Sequence, residues 1–200
     1  MKRLKFITAA MACVAVLGFT FASCDDDDEV HQLTQQEKET AFNAVKGDYN
    51  GKLTVPQKEG TPGTGQPQTR DISWSITAQD AMTIHQFPMD LLAEYVTNDK
   101  VKQALAAAAP QDIKCSIGFY SVSPAGFLIN PTPPQLELTL DGTPHKVQVA
   151  FFINSNYSFG HLINGDKTLQ MQIVEADIYV DGQPMSYLQN GVPFVMTAQK

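Results

Sequence analysis

The sequence of 200 residues contains little cysteine and only one tryptophan. Its three cysteines are Cys13, Cys24 and Cys115, and two of them lie in the first 24 residues. A single thiol in the rest of the chain excludes an internal disulfide there, so the hydrophobic core must hold the fold together. Cys115 alternates with Ile113 and Ile117, a pattern that predicts a small buried hydrophobic side chain rather than a reactive thiol.

Positive charge is also scarce. The chain has 14 Lys and Arg against 21 Asp and Glu, for a formal net charge of −7. Nucleic acids and anionic membrane surfaces are bound through basic patches. The composition therefore argues against nucleic acid as a partner, and it predicts that any attachment to a membrane is made by a lipid.

Motifs of the common active sites are missing. Apart from His31 near the amino terminus, the histidines are His85, His145 and His161, with no H-x-H or H-E-x-x-H spacing. A zinc site needs several converging ligands, so we predict no metal and no cofactor. The sequence also lacks a P-loop, a G-x-G-x-x-G run and a G-x-S-x-G nucleophile elbow. An enzyme is therefore the less favoured class.

Residues 1–23 have the pattern of a secretory signal. Basic residues precede an apolar run over residues 6–21, which is short for a membrane span. The letters FASC at residues 21–24 resemble a lipobox, with Phe21 where Leu is usual, and predict cleavage before Cys24 and acylation of its thiol. Each buried methylene contributes about 0.8 kcal/mol, so two or three acyl chains such as palmitate would anchor the protein stably. An uncleaved amino-terminal anchor is the alternative.

An acidic run follows Cys24 directly. Runs of like charge repel one another and stay extended, which predicts a solvated tether over residues 24–33. An acidic cluster in this place also resembles the surface-export signal of lipoproteins from the Bacteroides group. That resemblance implies an outer-membrane lipoprotein on the cell surface, with a periplasm-facing location as the alternative. The residues of the predicted export signal are Asp25, Asp26, Asp27 and Asp28.

Residues 34–200 predict a single β-rich domain. Thr34 and Glu37 form a capping-box pattern at the start of a helix that ends near Gly47. Alternation of apolar and polar residues then predicts eight or nine short strands, interrupted by a helical pair over residues 90–109. The predicted fold class is mainly β: an antiparallel β-sandwich or flattened barrel, with the helices closing one end or edge.

Turn signals separate the predicted strands. Asp-Gly dipeptides at residues 141–142 and 181–182 predict two tight hairpin turns. Proline cannot donate to a ladder, so residues 130–134 predict a strand-free turn. Residues 56–70 are rich in glycine, proline and polar side chains, which predicts a long surface loop.

A predicted loop over residues 154–161 is the candidate ligand site. Amides interleaved with aromatic rings are typical of sugar or peptide recognition, because ring faces stack and amides form hydrogen bonds. The plainer interpretation, that the two rings pin a long connection to the core, carries more weight from sequence alone. The candidate ligand residues of this loop are Asn154, Asn156, Tyr157, Phe159 and His161.

Glu175 and Asp177 are the one close pair of carboxylates inside a predicted strand. Their spacing of two places both on one face of the strand, as in a glycosidase pair. The apolar residues Val174, Ala176 and Ile178 alternate with them, so we expect the pair on a solvated face. A carbohydrate-active hydrolase that uses these carboxylates is the alternative function.

A family resemblance rests on these features together with residues 47–53, GDYNGKL. The chain resembles small lipoproteins of the Bacteroides group in which a short helix leads into a β-rich body of unknown function. The G-x-Y-x-G run is also similar to the first strand of lipocalin-like proteins, with Tyr49 where Trp is expected. The resemblance implies an envelope lipoprotein and brings no catalytic residues. The predicted function is a non-enzymatic module that binds a glycan or an envelope protein.

Overall fold

The computed structural model describes residues 32–56, 67–183, 187–188 and 190–200. The predictions for residues 1–31, which include the signal, Cys24 and the export signal, lie outside the described residues. The described part holds three helices and ten strands: α1 (Gln35–Val45), β1 (Gly47–Val55), β2 (Gln68–Ala78), β3 (Ala81–Phe87), α2 (Met89–Ala93), α3 (Asp99–Ala106), β4 (Gln111–Val122), β5 (Ala125–Pro131), β6 (Gln135–Leu140), β7 (Thr143–Phe151), β8 (Phe159–Ile163), β9 (Thr168–Val180) and β10 (Val192–Gln199).

Eight of these strands close into an antiparallel barrel. The order of neighbours is β1-β2-β3-β4-β5-β8-β9-β10, and β10 pairs again with β1. Buried residues alternate with exposed ones along β4 and with half-buried ones along β8, because successive side chains of a strand point to opposite faces. The predicted β-rich fold class is therefore confirmed, in its barrel form.

The interior of the barrel is filled with side chains. Trp74 has no exposed surface and stacks on Tyr49, with ring centroids 5.4 Å apart. Phe87 meets Phe194 edge to face at 5.3 Å, and Phe127 is likewise fully buried. Eight-stranded barrels have room for either packed side chains or one small ligand. Large aromatic side chains take that room here, so we expect any binding surface to lie on the outside of the barrel.

Helix α1 begins as its sequence predicts. The backbone N–H of Thr34 donates to the carboxylate of Glu37 at 2.8 Å, and the Glu37 N–H donates to the Thr34 hydroxyl at 3.3 Å. This reciprocal pair satisfies backbone donors that the first helical turn leaves free. At the other end, the Tyr49 hydroxyl donates to the carbonyl oxygen of Val45 at 2.7 Å. That bond ties the helix terminus to β1.

Strand β9 is longer than the barrel. Its first part pairs with β8 and β10, while residues 175–180 pair with β7, which forms a hairpin with β6. The hairpin turns at Asp141 and Gly142, whose φ angles of 52° and 80° match a two-residue type I′ turn. This confirms the turn predicted from the Asp-Gly dipeptide. Helix α3 packs against β6 at this extension.

The sequence patterns misplace three segments. Residues 68–70, predicted as part of a long loop, are the start of β2 and pair with β1. Residues 159–163 form β8 and not part of a loop, and β5 continues through Asn130 to Pro131. The strand-free turn predicted at residues 130–134 is therefore wrong at its start. Pro131 is the last residue of β5 and lies beyond the residues that pair with β8. No carbonyl oxygen of β8 needs a donor at that position, so the missing N–H of Pro131 costs little stability.

Two glycines test how tightly the barrel closes. A Cβ on Gly51 would lie 2.4 Å from the carbonyl oxygen of Thr197 and 2.9 Å from the ring of Trp74, whereas a Cβ on Gly118 meets nothing within 4 Å. Gly51→Ala should lower the free energy of unfolding by about 1–3 kcal/mol, because overpacking forces backbone shifts. Gly118→Ala is the matched control and should not destabilise the chain. Chemical denaturation measures both, and equal midpoints would contradict the closure described here.

Candidate functional site

The outward side of strands β4, β5, β8 and β9 carries aromatic rings and amides. Across the sheet, Leu128 pairs with Gly118 on one side and with Phe159 on the other. Because residues two apart on a strand share a face, the register defines this surface, which we take to end before the exposed Lys114 of β4. We call it the aromatic face, and its residues are Ser116, Gly118, Tyr120, Gly126, Leu128, Asn130, Phe159, His161, Gln170 and Gln172.

Tyr120 occupies a β-bulge in β4. Between the positions that pair with Phe127 and Gly126 of β5, β4 has one extra residue, and this residue is Tyr120. A bulge of this kind changes the direction in which the side chain points. A Cβ on Gly126 would lie 2.9 Å from each of three atoms of Tyr120, namely Cε2, Cζ and the hydroxyl oxygen. A position that is 2.9 Å from all three of these atoms cannot lie in the plane of the ring. It lies on one of the two sides of the ring. The flat side of the ring therefore covers Gly126, while 46% of Tyr120 stays exposed.

Further rings continue this surface. Phe159 and His161 stack with centroids 5.4 Å apart and an angle of 9° between their planes. In the connection from β7 to β8, the rings of Phe152 and Tyr157 lie 5.1 Å apart. Both of these rings are exposed. The aromatic groups thus run from β4 through β8 to the connection that precedes it.

Hydrogen bonds hold the connection between β7 and β8 in place. Asn154 and Asn130 bond reciprocally, at 2.7 Å from the Asn154 N–H and at 2.9 Å between the side-chain amides. The buried Ser158 hydroxyl donates to the carbonyl oxygen of Phe152 at 2.7 Å, and the Gln172 amide donates to that of Tyr157 at 2.9 Å. Polar bonds, and not burial of Tyr157, therefore pin this segment. Its rings are pre-positioned at the surface.

The aromatic face is electrically neutral. None of its ten residues is Asp, Glu, Lys or Arg, although the chain as a whole carries −7. Partial burial lowers the pKa of His161, so the imidazole is neutral at pH 7. Partial burial raises the pKa of the Tyr120 hydroxyl, which keeps its proton. The face therefore presents π surfaces and uncharged hydrogen-bonding groups.

The structure places the five candidate ligand residues on two different elements. Asn154, Asn156 and Tyr157 lie in the connection before β8, while Phe159 and His161 belong to β8 itself. The expectation of one loop is corrected in that respect. Sequence patterns missed the residues of β4 and β5 that complete the face, because a bulge and cross-strand register bring them together. The signal for these residues in the sequence was a glycine inside a strand, Gly126, on which the ring of Tyr120 lies.

Glu175 does not lie on a solvated face, which corrects the sequence prediction. It continues the inward series of β9 and has no exposed surface, and neither carboxylate oxygen has a hydrogen-bond partner. A bulge between β7 and β9 inserts Ala176 and shifts the alternation, so that Ile178 becomes the next fully buried residue. Asp177 is half-buried and accepts from the N–H of Tyr187 at 3.2 Å. The pair is therefore not presented to a substrate in a common cleft.

A second polar cluster lies on the outward side of β2 and β3. The Ser75 hydroxyl is 2.9 Å from Nε2 of His85, whose Nδ1 is 3.7 Å from the Asp112 carboxylate. The backbone N–H of Gln86 donates to Asp112 at 2.9 Å. This bond is the main cause of the lowered pKa of Asp112. Gln86 itself sits at a bulge of β3 with a φ of 49°.

The order of these groups is that of a Ser-His-Asp triad, but other requirements of acyl transfer are not met. Ser75 is only 8% exposed and lies in mid-strand, where its register partners are Asp48 and Thr83. The backbone N–H groups of such a ladder are taken, so they cannot bind an oxyanion. A polar cleft of about 740 Å³ lies nearby, lined by His85 and Ser73 among others. We assign the cluster a structural role in fixing the bulge.

Other predicted features can be placed within the described residues. His85, His145 and His161 stand on three different strands, and no three side chains of His, Cys, Asp or Glu in the described part group as metal ligands. Burial raises the pKa of the Cys115 thiol to about 12, as expected for a small core side chain. No helix in the described ranges is long and apolar enough to cross a membrane.

The barrel with its outer aromatic face defines a class: a closed antiparallel β-barrel flanked by helices. Comparison with known proteins matches residues 44–180 to a family model described as a domain of unknown function, DUF4840. The chain belongs to this family. The matched range covers strands β1 to β9 completely and therefore the whole aromatic face. Searches of curated proteins and of solved structures return no match.

The buried carboxyl of Glu175 predicts a pH-dependent stability. Burial, reinforced by the nearby charge of Asp177, raises the pKa of Glu175 well above its usual value. The folded state therefore holds this proton more tightly than the unfolded chain, whose Glu pKa is about 4.3. The stabilisation is complete below that pH and is lost as the pH rises toward the folded-state pKa.

Glu175→Gln removes this titration and keeps the shape of the side chain. We expect the variant to be more stable than the wild-type protein at pH 8, by about 1–3 kcal/mol, and to differ little at pH 4. Urea denaturation at several pH values measures the difference. Glu137→Gln, at an exposed position of β6, serves as the control. Parallel stability curves for wild type and Glu175→Gln would contradict the burial of this carboxyl.

Proposed function

We propose that this chain is a non-enzymatic binding module of the bacterial cell envelope, which holds its ligand on the aromatic face. One observation carries the proposal. Exposed aromatic rings lie at both ends of the uncharged aromatic face of this acidic protein, Tyr120 at one end and Phe152 and Tyr157 at the other. Contiguous exposed apolar surface is rare on proteins that bind nothing, and it marks interaction sites.

Two features support binding outside the barrel rather than catalysis or an internal pocket. The interior is occupied by Trp74, Phe127 and Phe194, which have no exposed surface. Glu175 is also fully buried, so a substrate has no access to the carboxylate pair on which the hydrolase alternative depends. The pinned connection before β8 adds a rigid edge to the face, and rigidity lowers the entropy cost of binding.

The location of the protein is part of the same proposal and rests on the amino-terminal sequence. The FASC letters at residues 21–24 support lipid attachment at Cys24, and the acidic run after it supports export to the outer surface of the outer membrane, as in the Bacteroides-group lipoproteins that the chain resembles. A periplasm-facing location remains the alternative. Either place would expose the aromatic face to envelope glycans and proteins.

A double variant tests the binding surface. Tyr120→Ala combined with Tyr157→Ala removes two exposed rings, and we expect it to lose binding at little cost in stability. The full-length chain, purified in detergent, is applied to an array of neutral oligosaccharides, acidic oligosaccharides and short peptides. Tyr179→Ala is the matched control, since this tyrosine lies on β9 outside the barrel. Signal that persists in the double variant, chemical turnover of a probe, or no binding by the wild type would contradict the proposal.

A second test concerns the anchor. Cys24→Ala should release the protein from the membrane fraction or mis-sort it, because each acyl chain contributes to anchoring through its buried methylenes. Mass spectrometry of the mature wild-type protein should show an acylated Cys24 at the amino terminus. Replacing the four aspartates at residues 25–28 by alanine should abolish cleavage by protease added to intact cells and keep the lipid. A mature form that begins elsewhere would refute the anchor.

A further inference from the structure

We propose that the ligand of the aromatic face is a neutral saccharide, bound by stacking of a sugar ring on Tyr120 beside the open floor at Gly118. This inference rests on the proposed binding role of the same face and names the chemical class of its ligand. Sugars combine apolar C–H faces with hydroxyl groups at their edges. Recognition therefore needs flat aromatic surface, nearby amides and no obligatory charge.

The Tyr120 ring supplies the flat surface. One side of the ring covers Gly126 and 46% of the residue is exposed, so we infer that the opposite side is the one that a ligand can reach. The bulge in β4 and the contact with the glycine fix the ring before any ligand arrives. Aromatic residues resting on a strand glycine are an established device for fixing a ring on a sheet. Stacking on a ring held in this way loses little side-chain entropy.

Next to the Tyr120 ring, Gly118 leaves the surface of the sheet open; this is the floor of the proposed site. It pairs with Leu128, and no atom lies within 4 Å of the position that its Cβ would take. A glycine in a strand interior weakens the strand and commonly marks a place where another molecule approaches closely. Gly118 is itself exposed, so this open space lies toward solvent, next to Tyr120 on the same strand and Leu128 on β5. A sugar ring can therefore reach the sheet itself.

Amides lie next to the aromatic groups. Gln172 pairs with Phe159, and Gln170 pairs with His161, so each amide is about one strand spacing of 5 Å from a ring-bearing residue. Gln172 already donates to the carbonyl oxygen of Tyr157, which orients its amide and leaves its oxygen to accept. These are donors and acceptors of the kind that bind hydroxyl groups at the edge of a stacked sugar.

The same face disfavours the other ligand classes. An acidic saccharide needs Lys or Arg, and the aromatic face has neither. An extended peptide is commonly captured by pairing with the free edge of a sheet. Each strand at the centre of the face already has two partners: β5 lies between β4 and β8, and β8 lies between β5 and β9. A neutral saccharide is the class whose chemistry this surface matches.

Calorimetric titration of the full-length chain in detergent tests the inference with neutral hexasaccharides: linear glucans, mannan and xylan fragments. At least one should bind, and Tyr120→Ala should raise its Kd at least tenfold. Gly118→Val, which fills the floor and suits a strand, should also weaken binding at an unchanged melting temperature. Tyr179→Ala is the control. The Kd should change by less than about twofold between about 50 and 500 mM NaCl, because salt screens only charges.

The outcomes separate this inference from the proposed function. Binding on the face to acidic saccharides or peptides alone, or a Kd that rises steeply with salt, overturns the saccharide assignment and leaves the binding role standing. A neutral saccharide whose Kd is the same for Tyr120→Ala, Gly118→Val and the wild type overturns both. If Gly118→Val loses binding and also has a lower melting temperature, its loss of binding could come from unfolding. Tyr120→Ala then decides between the outcomes, because its exposed ring contributes little to the core.

Discussion

Closure of the barrel between β9, β10 and β1 is the constraint on which the rest of the structure depends. Strand β10 pairs with β9 along its full length and with β1 around Leu53. The approach of β1 to β10 leaves room for no side chain at Gly51, where the carbonyl oxygen of Thr197 and the ring of Trp74 are both in contact range. Closure gives each barrel strand two partners. It thereby fixes which side chains point inward and which form the outer surface.

Because closure fixes which side chains point inward, it also determines which functional groups a ligand can reach. Large rings such as Trp74 and Phe194 occupy the interior, so the barrel carries no ligand in the manner of a hollow one. Functional groups are left to the outer wall, where neighbouring strands differ in character. The wall formed by β10, β1, β2 and β3 is polar and includes Lys52 and Asp71. The wall formed by β4, β5, β8 and β9 contains the aromatic face, whose residues carry no charge, and its charged groups Asp112 and Lys114 lie at the beginning of β4.

Much of the fold could be predicted from the sequence because its signals are local. The capping box of Thr34 and Glu37 marked the start of α1, alternation marked the β-rich body, and the Asp-Gly dipeptides marked two tight turns. The errors arise where one extra residue changes the alternation or where strands meet. Glu175 continues the inward series of β9, and the bulge at Ala176 changes the alternation only after it, so the apolar residues that follow predicted the wrong side for Glu175. The aromatic face joins residues of four strands, so only part of it could be seen in the segment 154–161.

Strand β6 has one free side, since β7 is its single partner in the described part of the chain. Free strand edges recruit other polypeptides and seed aggregation unless they are shortened or covered. This edge is six residues long, with Gln135, Glu137 and Thr139 at its exposed positions. Lys100 of α3 also forms an ion pair with Asp141 beside it. The short edge, its charged Glu137 and the nearby ion pair disfavour edge-to-edge pairing between two copies of the molecule.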